Sequence, residues 1–413
     1  MSEAVQQNDD RPDPYSIPIN EIDLTRSDMF ADDYHIRVFE RLRKEDPVYF
    51  QEHEEFGRFW NVTRFDDIME VDINPGIFSS EGTIVMDDVD EDFPLPMFIA
   101  MDPPKHDKQR MEVSGAVAPV NLAKMEGSIR QRVQNILDSL PLNEEFNWVD
   151  LVSIELTTQM LATLFDFPFE DRHKLTWWSD VATANDDSGI VDNEEERQAI
   201  LMECLEYFTR LWNERVNEEP RGDLVSMLAH GESTKNMEPM EYLGNLILLI
   251  VGGNDTTRNS ITGGVRFLNE NPDEYQKLRD NPGLIPTMVP EIIRYQTPLA
   301  YMRRTALIDT ELGGKQIKQG DKVIMWYVSG NRDSDSITDA DSFLIDRKQA
   351  RRHLSFGFGI HRCMGNRLAE MQLRILWEEI MQRFHTIEVV GRPVTVHSNF
   401  VKGYSELPVI VRA

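Results

Sequence analysis

The stretch His353-Leu-Ser-Phe-Gly-Phe-Gly-Ile-His-Arg-Cys-Met-Gly-Asn-Arg-Leu-Ala-Glu370 decides how the rest of the chain is read. Gly357, Gly359 and Gly365 permit tight turns and a close approach of the backbone to something flat or bulky. Cys363 stands between these glycines and the start of a last long helix, expected over about 364–384. Backbone N–H groups there are free to donate to a sulfur and favour its thiolate. His361 and Arg362 add donors and positive charge beside it. A thiolate in such a loop serves as a nucleophile, a metal ligand or a haem ligand. A nucleophile needs a paired base, and His361 is expected on the other side of the loop.

Upstream, Leu246-Ile-Leu-Leu-Ile-Val-Gly-Gly-Asn-Asp-Thr-Thr-Arg258 begins apolar on all sides, the mark of a central helix. Gly252 and Gly253 then each cost about 1 kcal/mol relative to alanine in a helix interior. Asp255 and Thr256 follow, where burial is unfavourable without partners. Helical patterns dominate from about 104 to 300, and strands and turns prevail after 300, with Thr305–Ile308 and Lys322–Tyr327 expected as strands and a hairpin-like C-terminus. Earlier strands are expected at Pro47–Gln51 and Arg58–Val62, and Ser79–Met101 is expected as a long functional loop. The polar residues 1–20 are expected to form a flexible arm, and 21–413 one mainly α domain with a smaller β portion.

Composition narrows the function. The 413 residues are 40% hydrophobic and 28% charged, ordinary for a soluble globular protein. A chain of this length removes roughly three quarters of its unfolded surface from water, enough to enclose a deep cavity. Lys and Arg total 43 against 72 Asp and Glu, a net charge of −29, which argues against binding nucleic acid or anionic membrane. The longest apolar stretch, Leu246–Val251, is too short to span a bilayer, and the N-terminus lacks a secretory signal, so a cytoplasmic location is expected. With only Cys204 and Cys363, neither a disulfide framework nor a four-cysteine zinc site is available. Cys204, in an apolar helical run, is expected to be an inert buried thiol.

The spacing Phe-Gly-x-Gly-x-His-x-Cys-x-Gly, filled by Phe356 to Gly365, resembles the signature of the cytochrome P-450 enzymes, the haem-thiolate monooxygenases. The resemblance runs from about residue 40 to the end and implies the P-450 fold, with haem b between the central helix and the cysteine loop. It implies that Cys363 is the axial ligand of the haem iron, whose thiolate pushes electron density toward O–O cleavage. It makes Phe356 the aromatic residue beside the sulfur and His361 a partner of a haem propionate. Gly252-Gly253-Asn254-Asp255-Thr256 resembles the family's oxygen-binding motif, which implies a helix opened over the iron. There Thr256 would hydrogen-bond dioxygen and Asp255 would relay protons.

Asp102-Pro-Pro-Lys-His-Asp-Lys-Gln-Arg110 also resembles the family. His106 and Arg110 lie at i, i+4 and can reach one anion, which the resemblance makes a propionate. Arg304 resembles another propionate arginine, with Arg303 as the neighbouring alternative. Glu291 and Arg294 match the family's Glu-x-x-Arg scaffold pair. Its third partner, an arginine in Pro-Glu-Arg-Phe elsewhere, has no counterpart in Ala340-Asp-Ser-Phe343.

Several segments look most like the bacterial alkane and fatty-acid terminal hydroxylases. That implies insertion of one oxygen atom into the terminal C–H of a medium-chain alkane or fatty acid. The candidate pocket wall is apolar: Met86, Phe93, Leu95 and Met97 in the loop, Leu249 and Val251 on the helix, then Leu299 and Ala300. With no length for a fused reductase, electrons are expected from NAD(P)H through a ferredoxin reductase and a ferredoxin. Lys348, Arg351, Arg352, Arg362 and Arg367 are the expected docking face. The alternatives are a terpene or sterol hydroxylase of the same family, a peroxygenase, and a non-enzymatic haem sensor.

Overall fold

The computed structural model of the protein describes residues 11–184 and 189–412. The first ten residues of the expected arm lie outside the described residues. Its remainder is fastened to the body: Arg11 donates to the Asp28 carbonyl (3.0 Å) and pairs with Asp32, and Arg41 holds the carbonyls of Pro14 and Ile17.

The helix Pro239–Glu270 forms the axis of the molecule. Its 32 residues span roughly 48 Å at 1.5 Å per residue. Proline in its first turn starts it, and Asn271-Pro272 ends it. Helices Glu155–Phe165, His173–Thr183, Ile285–Gln296 and Asn366–Arg383 pack around it, so its middle is buried on nearly every side. The helix Glu155–Phe165 is preceded by a wider π-helical turn, Val149–Ile154.

The β portion is a five-stranded sheet ordered Val48–His53, Gly57–Val62, Lys322–Trp326, Tyr301–Ala306, Phe78–Ser79. The central pair Gly57–Val62 and Lys322–Trp326 runs parallel, and the other pairings are antiparallel. The strand expected at Thr305–Ile308 instead occupies Tyr301–Ala306, because Arg303 and Arg304 already pair with Ile324 and Val323. The C-terminus is more than a hairpin. Pro408–Arg412 lies between Thr386–Val389 and Glu145–Asn147, and Val394–Thr395 pairs separately with Tyr404–Glu406.

Among the described residues, two helices longer than a single turn had no sequence expectation, His35–Glu45 and Phe65–Ile73. Each buries a helical stripe (Val38, Phe39 and Leu42; Phe65, Ile68 and Val71), and the second carries Asp72 to the site described next.

The scaffold pair sits in the core. Glu291 and Arg294 are fully buried and joined by two bonds of 2.8 Å. Arg294 also donates to the carbonyls of Asn331, Ala340 and Ser342. The third partner is Arg347, whose Nε donates to Glu291 Oε2 at 2.9 Å. It lies four residues beyond the segment that the family pattern points to.

Candidate active site

The cysteine loop is anchored at its base before it reaches Cys363. Ser355 Oγ donates to the Ile293 carbonyl (2.9 Å), and Asn331 Oδ1 accepts the Leu354 N–H (2.6 Å). Gly357 and Gly359 adopt φ of 61° and 64°, where a side chain is strained. A Cβ on Gly359 would also stand 2.4 Å from the Asp72 carbonyl oxygen. The loop closes when the Cys363 N–H donates to the Phe356 carbonyl at 2.8 Å, a bond that does not use the side chain.

The Cys363 sulfur faces a cavity of about 1250 Å³, and its open surface is the inner wall of that cavity. Burial pushes its thiol pKa up, against the pull of the Gly365 and Asn366 N–H groups and of Arg110 and Arg362. A cation facing the sulfur reverses that balance. Among the described residues no three His, Cys, Asp or Glu side chains converge as a metal cluster. Cys204 is buried and far above its usual pKa through burial, the inert thiol expected.

Four basic side chains converge beside the sulfur. The rings of His106 and His361 lie 4.2 Å apart, and Arg110, Arg304 and His361 line the cavity. His106 Nδ1 bonds Asp107 (2.8 Å), but its Nε2 and both His361 nitrogens are buried without a protein partner. Burial, followed by Arg304, His106 and Arg110, pushes the His361 pKa down to about 2. Two guanidinium groups beside unpartnered imidazole nitrogens call for an acidic acceptor in the cavity, and the two carboxylates of haem meet that need. The structure separates the two neighbouring arginines. Arg304 faces the cavity, whereas Arg303 binds the carbonyls of Met86 and Asp87 and pairs with Asp88 (3.0 Å). Alternation along the strand sends them to opposite faces.

Across the cavity, the central helix supplies the facing wall. A Cβ on Gly252 would meet nothing within 4 Å, whereas one on Gly253 would strike Leu161 Cδ2 at 2.6 Å. Gly253 thus serves packing, and Gly252 leaves the cavity open. The helix runs unbroken through this stretch, and Thr256 Oγ1 donates to the Gly252 carbonyl at 3.0 Å. Thr256 lines the cavity.

Asp255 points the other way and is fully buried, paired with Arg258 (2.8 Å) and bonded by Asn254 (3.0 Å) and Thr183 (3.4 Å). Burial raises its pKa to about 6; Arg258 opposes this but is shared with Asp180 at 2.9 Å. Thr183 itself lines the cavity, so its hydroxyl stands between Asp255 and the interior.

The apolar wall contains Phe93, Leu95, Met97, Leu249, Val251 and Leu299, together with Phe356. Met86 and Ala300 do not line it. Both pack in a separate core with Tyr301 and Trp326, where the Met86 N–H binds the Tyr301 hydroxyl (3.2 Å). Sequence reading missed Leu161 and Leu164 on a neighbouring helix and Phe400 from the C-terminal segment, none of which carries a local signal.

The loop is seated on the central helix at Gly244, where a Cβ would lie 2.2 Å from the Pro96 carbonyl oxygen, and the Phe98 N–H binds Asn245 Oδ1 at 2.9 Å. Gly244→Ala is therefore expected to lose about 1–3 kcal/mol in denaturant unfolding by overpacking. Unchanged stability would mean the loop yields without cost.

Lys348, Arg351, Arg352, Arg362 and Arg367 are all exposed. Of these, Arg351 is paired with Glu370 (2.7 Å). Among the described residues, no helix is long and apolar enough to cross a membrane.

A family model described as Cytochrome P450 matches residues 283–403. The linalool 8-monooxygenase of Pseudomonas putida is 35% identical over 403 residues, covering 94% of this chain and 98% of that one. A methyl-branched lipid omega-hydroxylase of Mycobacterium tuberculosis is 32% identical, covering 96% of each chain. Among solved structures, cytochrome P450-153 from Novosphingobium aromaticivorans is similar with a TM-score of 0.89 and 47% identity, covering 94% of this chain and 99% of that one.

Proposed function

The chain belongs to the cytochrome P450 family, and on that premise we propose that it hydroxylates the terminal methyl of a linear apolar substrate, a medium-chain alkane or fatty acid. One observation carries this reading. A single cavity joins Cys363 and the unpartnered His361 to an apolar passage past Leu249, Val251 and Leu299. Its volume of about 1250 Å³ exceeds the ordinary range for one small ligand, about 300–1,000 Å³, and suits a cofactor and a substrate together.

In this reading Cys363 would bind the haem iron, and His106, Arg110, Arg304 and His361 would hold the haem carboxylates. When bound, haem supplies the iron centre at which dioxygen is cleaved with electrons that originate from NAD(P)H. The chain's own residues orient and protonate. The apolar walls exclude water and direct one end of the substrate toward the space beneath Thr256 and Gly252 on the facing wall, which is catalysis by orientation. Thr256 presents its hydroxyl to the cavity while its proton is held by the Gly252 carbonyl. Asp255, its carboxyl raised to about 6 by burial, keeps its proton below that pH and passes it inward through the Thr183 hydroxyl.

Asp255→Asn is expected to slow product formation on the order of 10²-fold and to uncouple NAD(P)H consumption from hydroxylation. In the parent enzyme the rate should fall as pH rises past about 6, because the donor is then ionised. The variant should lack that limb, and a parental pH profile would remove Asp255 from the relay.

The exposed basic face on an acidic protein suits an acidic ferredoxin, reduced in turn by its NAD(P)H-dependent reductase. A second reading, hydroxylation of a monoterpene, is favoured by the similarity to linalool 8-monooxygenase.

Titrating the visible spectrum of the haem-loaded protein with octane, dodecanoic acid and a monoterpene tests both. A low-to-high-spin change with a linear chain, followed by a primary alcohol or omega-hydroxy acid as product, supports the first. A response to the monoterpene alone overturns it in favour of the second.

A further inference from the structure

One acid on the cavity wall is not needed by any step above. Asp72, at the end of helix Phe65–Ile73, is only 3% exposed. Its Oδ1 accepts from Arg304 Nη2 at 3.0 Å, and its Oδ2 accepts the Phe358 N–H at 2.7 Å and the Tyr327 hydroxyl at 3.2 Å. These partners come from three places: strand Tyr301–Ala306, the segment after Lys322–Trp326, and the cysteine loop. Helix and loop are also in backbone contact, since a Cβ on Gly359 would lie 2.4 Å from the Asp72 carbonyl oxygen.

A buried carboxylate beside an anion-binding pocket repels the anion it faces, so its placement requires a compensating gain. That gain is geometric. Arg304 Nη1 donates to the Arg303 carbonyl at 2.8 Å, and Asp72 fixes Nη2, so the guanidinium is held at two points before any ligand binds. Burial pushes the Asp72 carboxyl up, and Arg304, the Phe358 N–H and Tyr327 draw it back toward the ionised form.

We propose that Asp72 is a positioning residue for the cofactor, orienting Arg304 toward a haem carboxylate and locking that arginine to the thiolate loop through the Phe358 N–H. Asp72 acts through these two partners and does not touch the reacting atoms. The inference rests on the haem-thiolate reading. A parent enzyme whose ferrous carbon monoxide complex lacks the thiolate-type Soret band sinks that reading itself, before any variant is made.

The test uses haem-loaded Asp72→Asn, Asp72→Glu and Tyr327→Phe, measuring the ferric/ferrous potential and the rate of haem transfer to apomyoglobin. Asp72→Asn removes a negative charge from the cofactor's surroundings, which favours the added electron. The expected result is a tenfold shift of the one-electron equilibrium toward the ferrous form, about 59 mV, with haem lost at least several-fold faster. Asp72→Glu keeps the charge and lengthens the side chain, so the potential stays near the parent while haem is lost faster. Tyr327→Phe changes neither. An Asp72→Asn enzyme with parental or lowered potential overturns the proposal. Should that variant fail to fold, parental haem retention in Asp72→Glu overturns it equally.

Discussion

Cys363→Ala is expected to fold and to lose coupled hydroxylation by roughly a thousandfold or more, the scale seen when an essential catalytic group is removed. The two halves of this expectation have separate causes. The loop geometry rests on the left-handed Gly357 and Gly359, the Cys363 N–H bond to the Phe356 carbonyl, and the Ser355 and Leu354 anchors. None of these uses the sulfur, so the fold survives. The chemistry needs a thiolate whose electron density reaches the iron, and no other described side chain in the loop can supply it. Circular dichroism of the variant should match the parent, while its ferrous carbon monoxide complex should lack the thiolate-type Soret band. Retained coupled hydroxylation would dismiss Cys363 as the ligand.

Glu291→Ala is expected to cost about 3–5 kcal/mol in denaturant unfolding, because it leaves two buried guanidinium groups without their counter-charge. Glu291 accepts from Arg294, from Arg347 and from the Leu344 N–H (2.9 Å). Burial pushes its carboxyl up, but these bonds outweigh burial and hold it below its ordinary value of 4.5. The sign for stability follows from a depressed folded pKa. The contribution is fully present above about 4.5, the ordinary value, and is lost as pH falls through the lower folded value. Acid unfolding of the parent should show this loss, and Glu291→Ala should show less of it. A destabilisation below about 1 kcal/mol would mean that Arg294 is satisfied by the carbonyls of Asn331, Ala340 and Ser342 alone.

The same comparison shows where local reading stops. Arg347 completes the Glu291 network although no sequence pattern points to it, because its partner lies 56 positions away and meets it only after the intervening segment folds back. Arg303 and Arg304 alternate along one strand, so the sequence implies opposite faces without saying which face holds the cavity. Met86 and Ala300 are as apolar as Leu95 and Leu299, yet they turn into the core around Trp326. Hydrophobicity selects residues that leave water and does not distinguish a core from a pocket. Asp72 meets the cysteine loop across 286 positions, with nothing in its own neighbourhood to announce it.

What the sequence determined by itself is what short-range chemistry encodes. Glycines at fixed spacing around Cys363 dictate a turn that presents one sulfur, and the Gly-Gly-Asn-Asp-Thr run thins one stretch of a buried helix, so the sulfur and the facing wall could both be read from contiguous residues. Only the tertiary structure decided which side chains converge on the space between them: His106 against His361, Arg304 rather than Arg303, Thr183 beside Asp255, and Asp72 beneath the loop. The reason is physical. Covalent spacing fixes a turn or a helix face, whereas the contents of a cavity depend on packing between elements that are distant in the chain.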